Sequence, residues 1–177
     1  TTPNRPDWLS HYGIAREIAA RDGKLRFAPI PVDGIDLAAG GEKFTIAIED
    51  AADCWRYSGC IVRDVTVGAS SPAVQKLLLT LGLRPINDIV DISNLVMMTC
   101  GQPLHIFDLD KLQGGQIRIR RARPGETLRL LDEREVALNE NFLLIADAFR
   151  PLALAGIMGG LDSGISPGTR HIFIESA

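Results

Sequence analysis

Between Ile89 and Cys100 apolar residues recur with helical period, and the pattern ends at Gly101, with Pro103 following. Glycine past a helix takes the left-handed backbone that closes the last turn, and a nearby proline cannot continue the helix. The chain must therefore turn sharply through Gln102-Pro103-Leu104-His105 and re-enter the core at Phe107. Ile89, Ile92, Leu95 and Val96 suit one buried helix face. Asp91, Ser93 and Asn94 interrupt that face with short polar side chains, which favour caps and turns over helix interiors. A polar cluster followed by a rigid elbow carrying His105 could line a pocket. The plain alternative is that Ser93 and Asn94 bond to backbone and His105 is a satisfied core histidine.

The other patterns set this helix beside a sheet. Asp7 or Ser10 can cap an earlier helix that Gly23 stops, and Ser71-Pro72 opens another that runs to Leu81. Residues 26–43, rich in proline and glycine, suggest an irregular crossing segment. Phe44–Glu49 alternates apolar and polar, as does Gly59–Val67 less cleanly, and two adjacent strands account for both. Gln116–Ala122 predicts a strand with Arg118, Arg120 and Arg121 on one face, either solvated or in contact with phosphates. Thr127–Leu131, Glu135–Leu138 and Phe142–Ile145 are short strand patterns joined by polar turns. Pro151–Gly160 is small and apolar, and its glycines suggest either close backbone approach or a tight packing turn. In the last strand, Ile172–Ala177, Glu175 shares a face with Phe173; a carboxylate facing inward there needs a partner. The fold class is α+β, with a sheet-rich, sandwich-like core flanked by three main helices.

A net charge of -3 argues against a broad phosphate-tracking surface, though not against a pocket for one nucleotide end. No apolar run approaches the roughly 20 residues that cross a bilayer, so no membrane partner is expected. No secretory leader is visible. Cys54, Cys60 and Cys100 lack metal-ligand spacing, so we read them as buried thiols of a reducing compartment, with neither zinc nor a disulfide framework.

Seven blocks occur together in order: TPNRPD (2–7), RYSG (56–59), RPINDIVDISN (84–94), GQPLHIFDLDKL (101–112), ARPGETL (122–128), LALAGIMGG (152–160) and IFIESA (172–177). In these the whole chain, 1–177, resembles the B3/B4 region of the bacterial phenylalanyl-tRNA synthetase β subunit, and so looks like part of a longer polypeptide. The resemblance implies two intertwined subdomains and an editing module, which hydrolyses tyrosine wrongly attached to the phenylalanine tRNA. It implies the 3′ end of tRNA(Phe) and the synthetase α subunit, in an α2β2 assembly, as partners in the cytoplasm. ATP and Mg2+ would serve aminoacylation elsewhere in that enzyme, with no cofactor or metal in this region.

Carried over residue by residue, the family's editing pocket falls on Ser93, Asn94, Pro103, His105, Ala155, Gly156 and Glu175. In that reading His105 and Asn94 are catalytic, with water as the nucleophile. Glu175, Gly156, Ala155, Pro103 and Ser93 bind substrate. The chain departs from the family pattern at Ser93 (usually threonine), Leu95 (tyrosine), Ile106 (alanine) and Leu161 (an acidic residue). Reduced editing would follow if Ile106 reshapes the pocket wall. Two competing expectations are a non-catalytic structural and tRNA-docking module with a degenerate pocket, and a free-standing deacylase.

Overall fold

The computed structural model describes residues 3–23 and 43–177. The crossing segment expected at 26–43 therefore lies outside the described residues, except for Lys43. Three α-helices and ten strands are present among the described residues, an α+β fold rich in sheet, as the sequence patterns predict.

Each helix begins and ends on a local signal. α1 (His11–Asp22) is capped by Ser10, whose hydroxyl accepts from the Gly13 amide, and closes at Gly23 with φ 67°. α2 (Pro72–Thr80) has Ser71 as its cap and proline in its first turn. α3 (Asp88–Cys100) is capped by Asn87, which accepts from the Val90 amide, and ends at Gly101 with φ 79°. These caps satisfy amides and carbonyls that a helix end leaves open. His11 Nδ1 meets the Met98 carbonyl at 2.7 Å, tying α1 to α3.

α3 does not bury the face its apolar spacing suggests. Ile92 is 55% exposed, whereas Asp91 and Ser93 are buried. The reason is Asp91, whose carboxylate accepts from Ser70 Oγ at 2.5 Å and from the Ile86 amide at 2.9 Å. It holds the segments before α2 and α3 together, and a buried carboxylate is tolerated when its lone pairs are met this way.

β1 (Thr45–Ile48), β4 (Gln116–Arg121), β7 (Leu143–Ala146), β8 (Pro151–Leu154) and β9 (Met158–Gly159) form one sheet in that order. β2 (Ser58–Val62), β10 (Ile172–Ser176) and β3 (His105–Asp108) form a second, with β10 central. β5 (Thr127–Arg129) and β6 (Glu135–Ala137) make a hairpin. The two runs read as adjacent strands are in different sheets: β1 pairs in parallel with β4, and β2 pairs antiparallel with β10. Alternation within a run says which face is apolar but not which strand it pairs with, and these pairings are set by partners distant in sequence.

Ile119, Ile145 and Ala153 lie on one face of the larger sheet and pack with Phe107, Phe173 and Tyr57 from the smaller-sheet side, the main core. Leu144 and Leu154 point the other way, onto a second cluster with Leu128 and Leu130. The larger sheet is thus a middle layer.

The arginines of β4 are neither a free solvated face nor a bare phosphate track. Arg120, 4% exposed, meets Glu126 through two bonds at 2.6 and 2.9 Å. Arg118 pairs with Glu49 at 2.7 Å, and Arg121 with Asp53. The cysteines are free, but none is buried: Cys54 and Cys60 are half-buried and Cys100 is exposed, correcting the expectation of buried thiols. No helix among the described residues is long and apolar enough to cross a membrane.

Candidate functional site

His105 opens β3 directly after the Gly101 elbow, and Glu175 sits near the end of β10. The antiparallel register places them opposite one another, as it does Phe107 and Phe173. Directly opposed residues of an antiparallel pair project to the same side of the sheet. The register is held at its other end by Asp108, which accepts Thr169 Oγ1 at 2.7 Å, and by the Leu109 amide donating to the His171 carbonyl at 2.9 Å. The elbow itself is tied to the chain end, since Gln102 Nε2 donates to the Ala177 carbonyl at 3.3 Å.

His105 and Glu175 line one cavity of about 350 Å3, together with Pro103, Ala155, Gly156 and Gly159. Leu104, Ile145, Ala153 and Met158 supply apolar wall. Ala155 and Gly156 form the turn between β8 and β9, closed by the Ile157 amide donating to the Leu154 carbonyl at 3.1 Å. Gly156 has φ 69°, a backbone that a turn with glycine in its third place requires.

Burial alone lowers the His105 pKa below its usual 6.5, so the ring is neutral at pH 7. Its Nε2 is buried with no hydrogen-bond partner, and a Cβ placed on Gly159 would stand 2.9 Å from that nitrogen. The ring packs edge-on against Phe107, centroids 4.4 Å apart. Burial also pushes the Glu175 carboxyl up to about 6, while a hydrogen bond from Tyr57 pulls it back down. That bond is short, Tyr57 Oη to Glu175 Oε2 at 2.7 Å.

Of the seven residues singled out in the sequence, five line this cavity: Pro103, His105, Ala155, Gly156 and Glu175. Ser93 and Asn94 are not among its lining residues. The Ser93 hydroxyl donates to the Val90 carbonyl at 2.7 Å, the plain backbone use, and Asn94 is half-buried on α3. Sequence reasoning gave no role to Tyr57 or Gly159. Both stand inside recognised blocks, RYSG and LALAGIMGG, but nothing local links Tyr57 to a carboxylate 118 positions away. Among the described residues no group of three or more His, Cys, Asp or Glu side chains is placed to hold a metal ion.

Residues 53–177 match the B3/4 domain family. The chain is 46% identical over 176 residues to a phenylalanine–tRNA ligase beta subunit of Moorella thermoacetica, and 47% identical over 178 residues to that of Anaeromyxobacter dehalogenans. Each comparison covers 99% of this chain and 22% of the relative, so the chain spans about a fifth of the length of these relatives. Its fold is similar to that of an N-terminal fragment of the phenylalanyl-tRNA synthetase beta subunit from Pyrococcus horikoshii. That comparison gives a TM-score of 0.54 at 18% identity, covering 98% of this chain and 52% of the fragment.

Proposed function

The chain belongs to the B3/4 domain family, and from that premise we propose that it is the editing part of a phenylalanine–tRNA ligase beta subunit. Its substrate would be tyrosine esterified to the 3′ end of tRNA(Phe). The observation that carries this reading is a single cavity, of a size that suits an amino-acid side chain, lined by both a carboxylate and a neutral imidazole.

Tyrosine differs from phenylalanine by one hydroxyl. A pocket built to hold a phenyl ring rejects the hydroxylated analogue by only roughly 10²-fold. A site whose buried polar group needs the hydroxyl works in the opposite sense and can reject the analogue lacking it by roughly 10⁴–10⁵. Glu175, mostly ionised at pH 7, accepts the substrate's phenolic O–H, a charge-assisted bond worth roughly 1.5–3 kcal/mol. Phenylalanine leaves that oxygen unmatched. At the ester, a water oxygen attacks the carbonyl carbon and the His105 imidazole takes its proton. The proton passes to the departing ribose oxygen, giving free tyrosine and an uncharged tRNA end. The Gly156 turn adjoins the same hollow and offers backbone polarity there.

In this proposal the parent enzyme charges tRNA with phenylalanine in the cytoplasm. It works with its alpha subunit as an α2β2 assembly, and ATP and Mg2+ act outside this region. One observation favours a second reading, a tRNA-docking module without catalysis: Ser93 is committed to backbone, and Asn94 is not among the residues that line the cavity. The test is release of tyrosine from Tyr-tRNA(Phe) by the full-length subunit in its assembly. Editing expects rapid release of tyrosine with Phe-tRNA(Phe) spared. Tight tRNA binding with no release of either amino acid would leave the docking reading.

A further inference from the structure

We infer that Tyr57 is a positioning residue of the editing site, its hydroxyl holding one oxygen of Glu175 so that the other is presented to the substrate's phenol. The inference rests on the editing reading and adds to it a specificity residue outside the cavity lining.

Glu175 stands on a wall common to two hollows. Besides the cavity it shares with His105, it lines a second of about 510 Å3, which Tyr57, Trp55 and Arg56 also border. Ala155, Gly156 and Ala177 belong to both walls. A carboxylate in that place can turn toward either side, and only one direction serves a phenol lying beside His105. The donor that fixes it is well anchored, because the Tyr57 ring belongs to the main core and is only 8% exposed. Its hydroxyl meets Oε2 at 2.7 Å, and no other hydrogen bond to the Glu175 side chain occurs among the described residues. A carboxylate has two oxygens and about four lone-pair sites, so capacity remains for a second phenol. Burial and the neighbouring carboxylate push the Tyr57 pKa up, which keeps its proton in place as a donor.

The other titratable groups that border the two hollows with Glu175 are His105, opposite it on β3, and Cys54, Asp53 and Arg56 from the loop before β2. Asp53 is engaged by Arg121. The Tyr57 bond is thus the contact that favours the charged carboxylate.

Two roles are possible for an internal phenol on this carboxylate, and they differ in sign. If Tyr57 positions Glu175, removing its hydroxyl weakens selection of tyrosine; if it competes with substrate, removal strengthens selection. The experiment uses the full-length subunit in its assembly, with Tyr57→Phe and single-turnover hydrolysis of Tyr-tRNA(Phe) and Phe-tRNA(Phe) between pH 5 and 8. Tyr57 acts on selection only through the placing of the carboxylate, so its loss is expected to lower the tyrosine-over-phenylalanine ratio about three- to tenfold, less than the full value of a charge-assisted bond. The pH midpoint of that preference is expected to move upward, because the bond that favoured ionisation is gone. In a Glu175→Gln background the same substitution should add little, a non-additivity that marks a shared role. An unchanged ratio and midpoint, a rise in tyrosine preference, or simple additivity with Glu175→Gln would each overturn the inference. A wild-type enzyme inert toward Tyr-tRNA(Phe) would instead overturn the editing reading beneath it.

Discussion

Gly159→Ala tests how closely the imidazole is held, using a single methyl group. Gly159 lies on β9, and a Cβ built there would stand 2.4 Å from His105 Cε1 and 2.9 Å from Nε2. Ordinary contact begins at 3.4 Å, so the ring must retreat by about 1 Å. It cannot retreat into the sheet, because Phe107 is fully buried and packed against its edge. Leu131 Cδ1, 3.2 Å from the same Cβ position, closes another side. The ring is therefore driven out of its place beside the cavity. A misplacement of about 1 Å can cost on the order of 10²-fold in rate, and the overpacking itself costs about 1–3 kcal/mol of stability. Single-turnover release of tyrosine from Tyr-tRNA(Phe) reads the first effect and urea unfolding the second. Selection of tyrosine over phenylalanine should survive, since Glu175 is untouched. A variant that hydrolyses at the wild-type rate despite the added methyl would refute the claim that the position of this ring limits the reaction.

Further outcomes follow from the same geometry. His105→Ala should lower hydrolysis by roughly 10²–10⁴, and single-turnover kinetics on Tyr-tRNA(Phe) measure it. Preference for tyrosine should fall as pH drops from 7 to 5, with a midpoint near 6 where Glu175 takes up its proton; competition between the two esters across that range checks it. The Glu175 pKa is raised from 4.5 to about 6, so its contribution to stability is present below pH 4.5 and lost as pH rises through 6. Glu175→Gln should consequently stabilise the fold at pH 7–8, by at most about 2 kcal/mol, in chemical unfolding. Asp91→Ala strands the Ser70 hydroxyl and the Ile86 amide, and should cost about 3 kcal/mol by the same measurement.

The helices were legible because their signals are local. Ser10, Ser71, Gly23 and Gly101 act within a turn of where they stand. The inward orientation of Asp91 was not legible, because the groups it serves come from the loops before two different helices. Period alone ranked Ile92 as core and Asp91 as an interruption, and hydrogen bonding reversed the order. Strand pairing failed for a similar reason. β1 lies beside β4 across more than sixty intervening residues, and no turn fixes that register. At the candidate site, alternation put Glu175 on Phe173's face but could not show which strand lies opposite.

The opposition of His105 and Glu175 raises a question of charge that the surroundings answer. A direct ion pair would raise the imidazole's pKa and lower the carboxyl's, leaving a protonated ring unable to take a proton from water. The shifts run the other way. His105 is lowered with burial as its only cause, and Glu175 is raised chiefly by burial. Each group instead has an uncharged neighbour, the Tyr57 phenol on Glu175 and the Gly159 backbone against His105. At neutral pH the carboxylate is then charged and the ring is not, so one can bind a hydroxyl while the other accepts a proton. Separate environments keep two titratable groups in one hollow from neutralising each other's chemistry. A lysine placed at Ala155 tests the point: an added cation beside Glu175 should lower its pKa, shifting the pH midpoint of tyrosine preference below 6 while depressing the imidazole further. A midpoint that stays near 6 in that variant would mean that tyrosine preference does not follow the ionisation of Glu175.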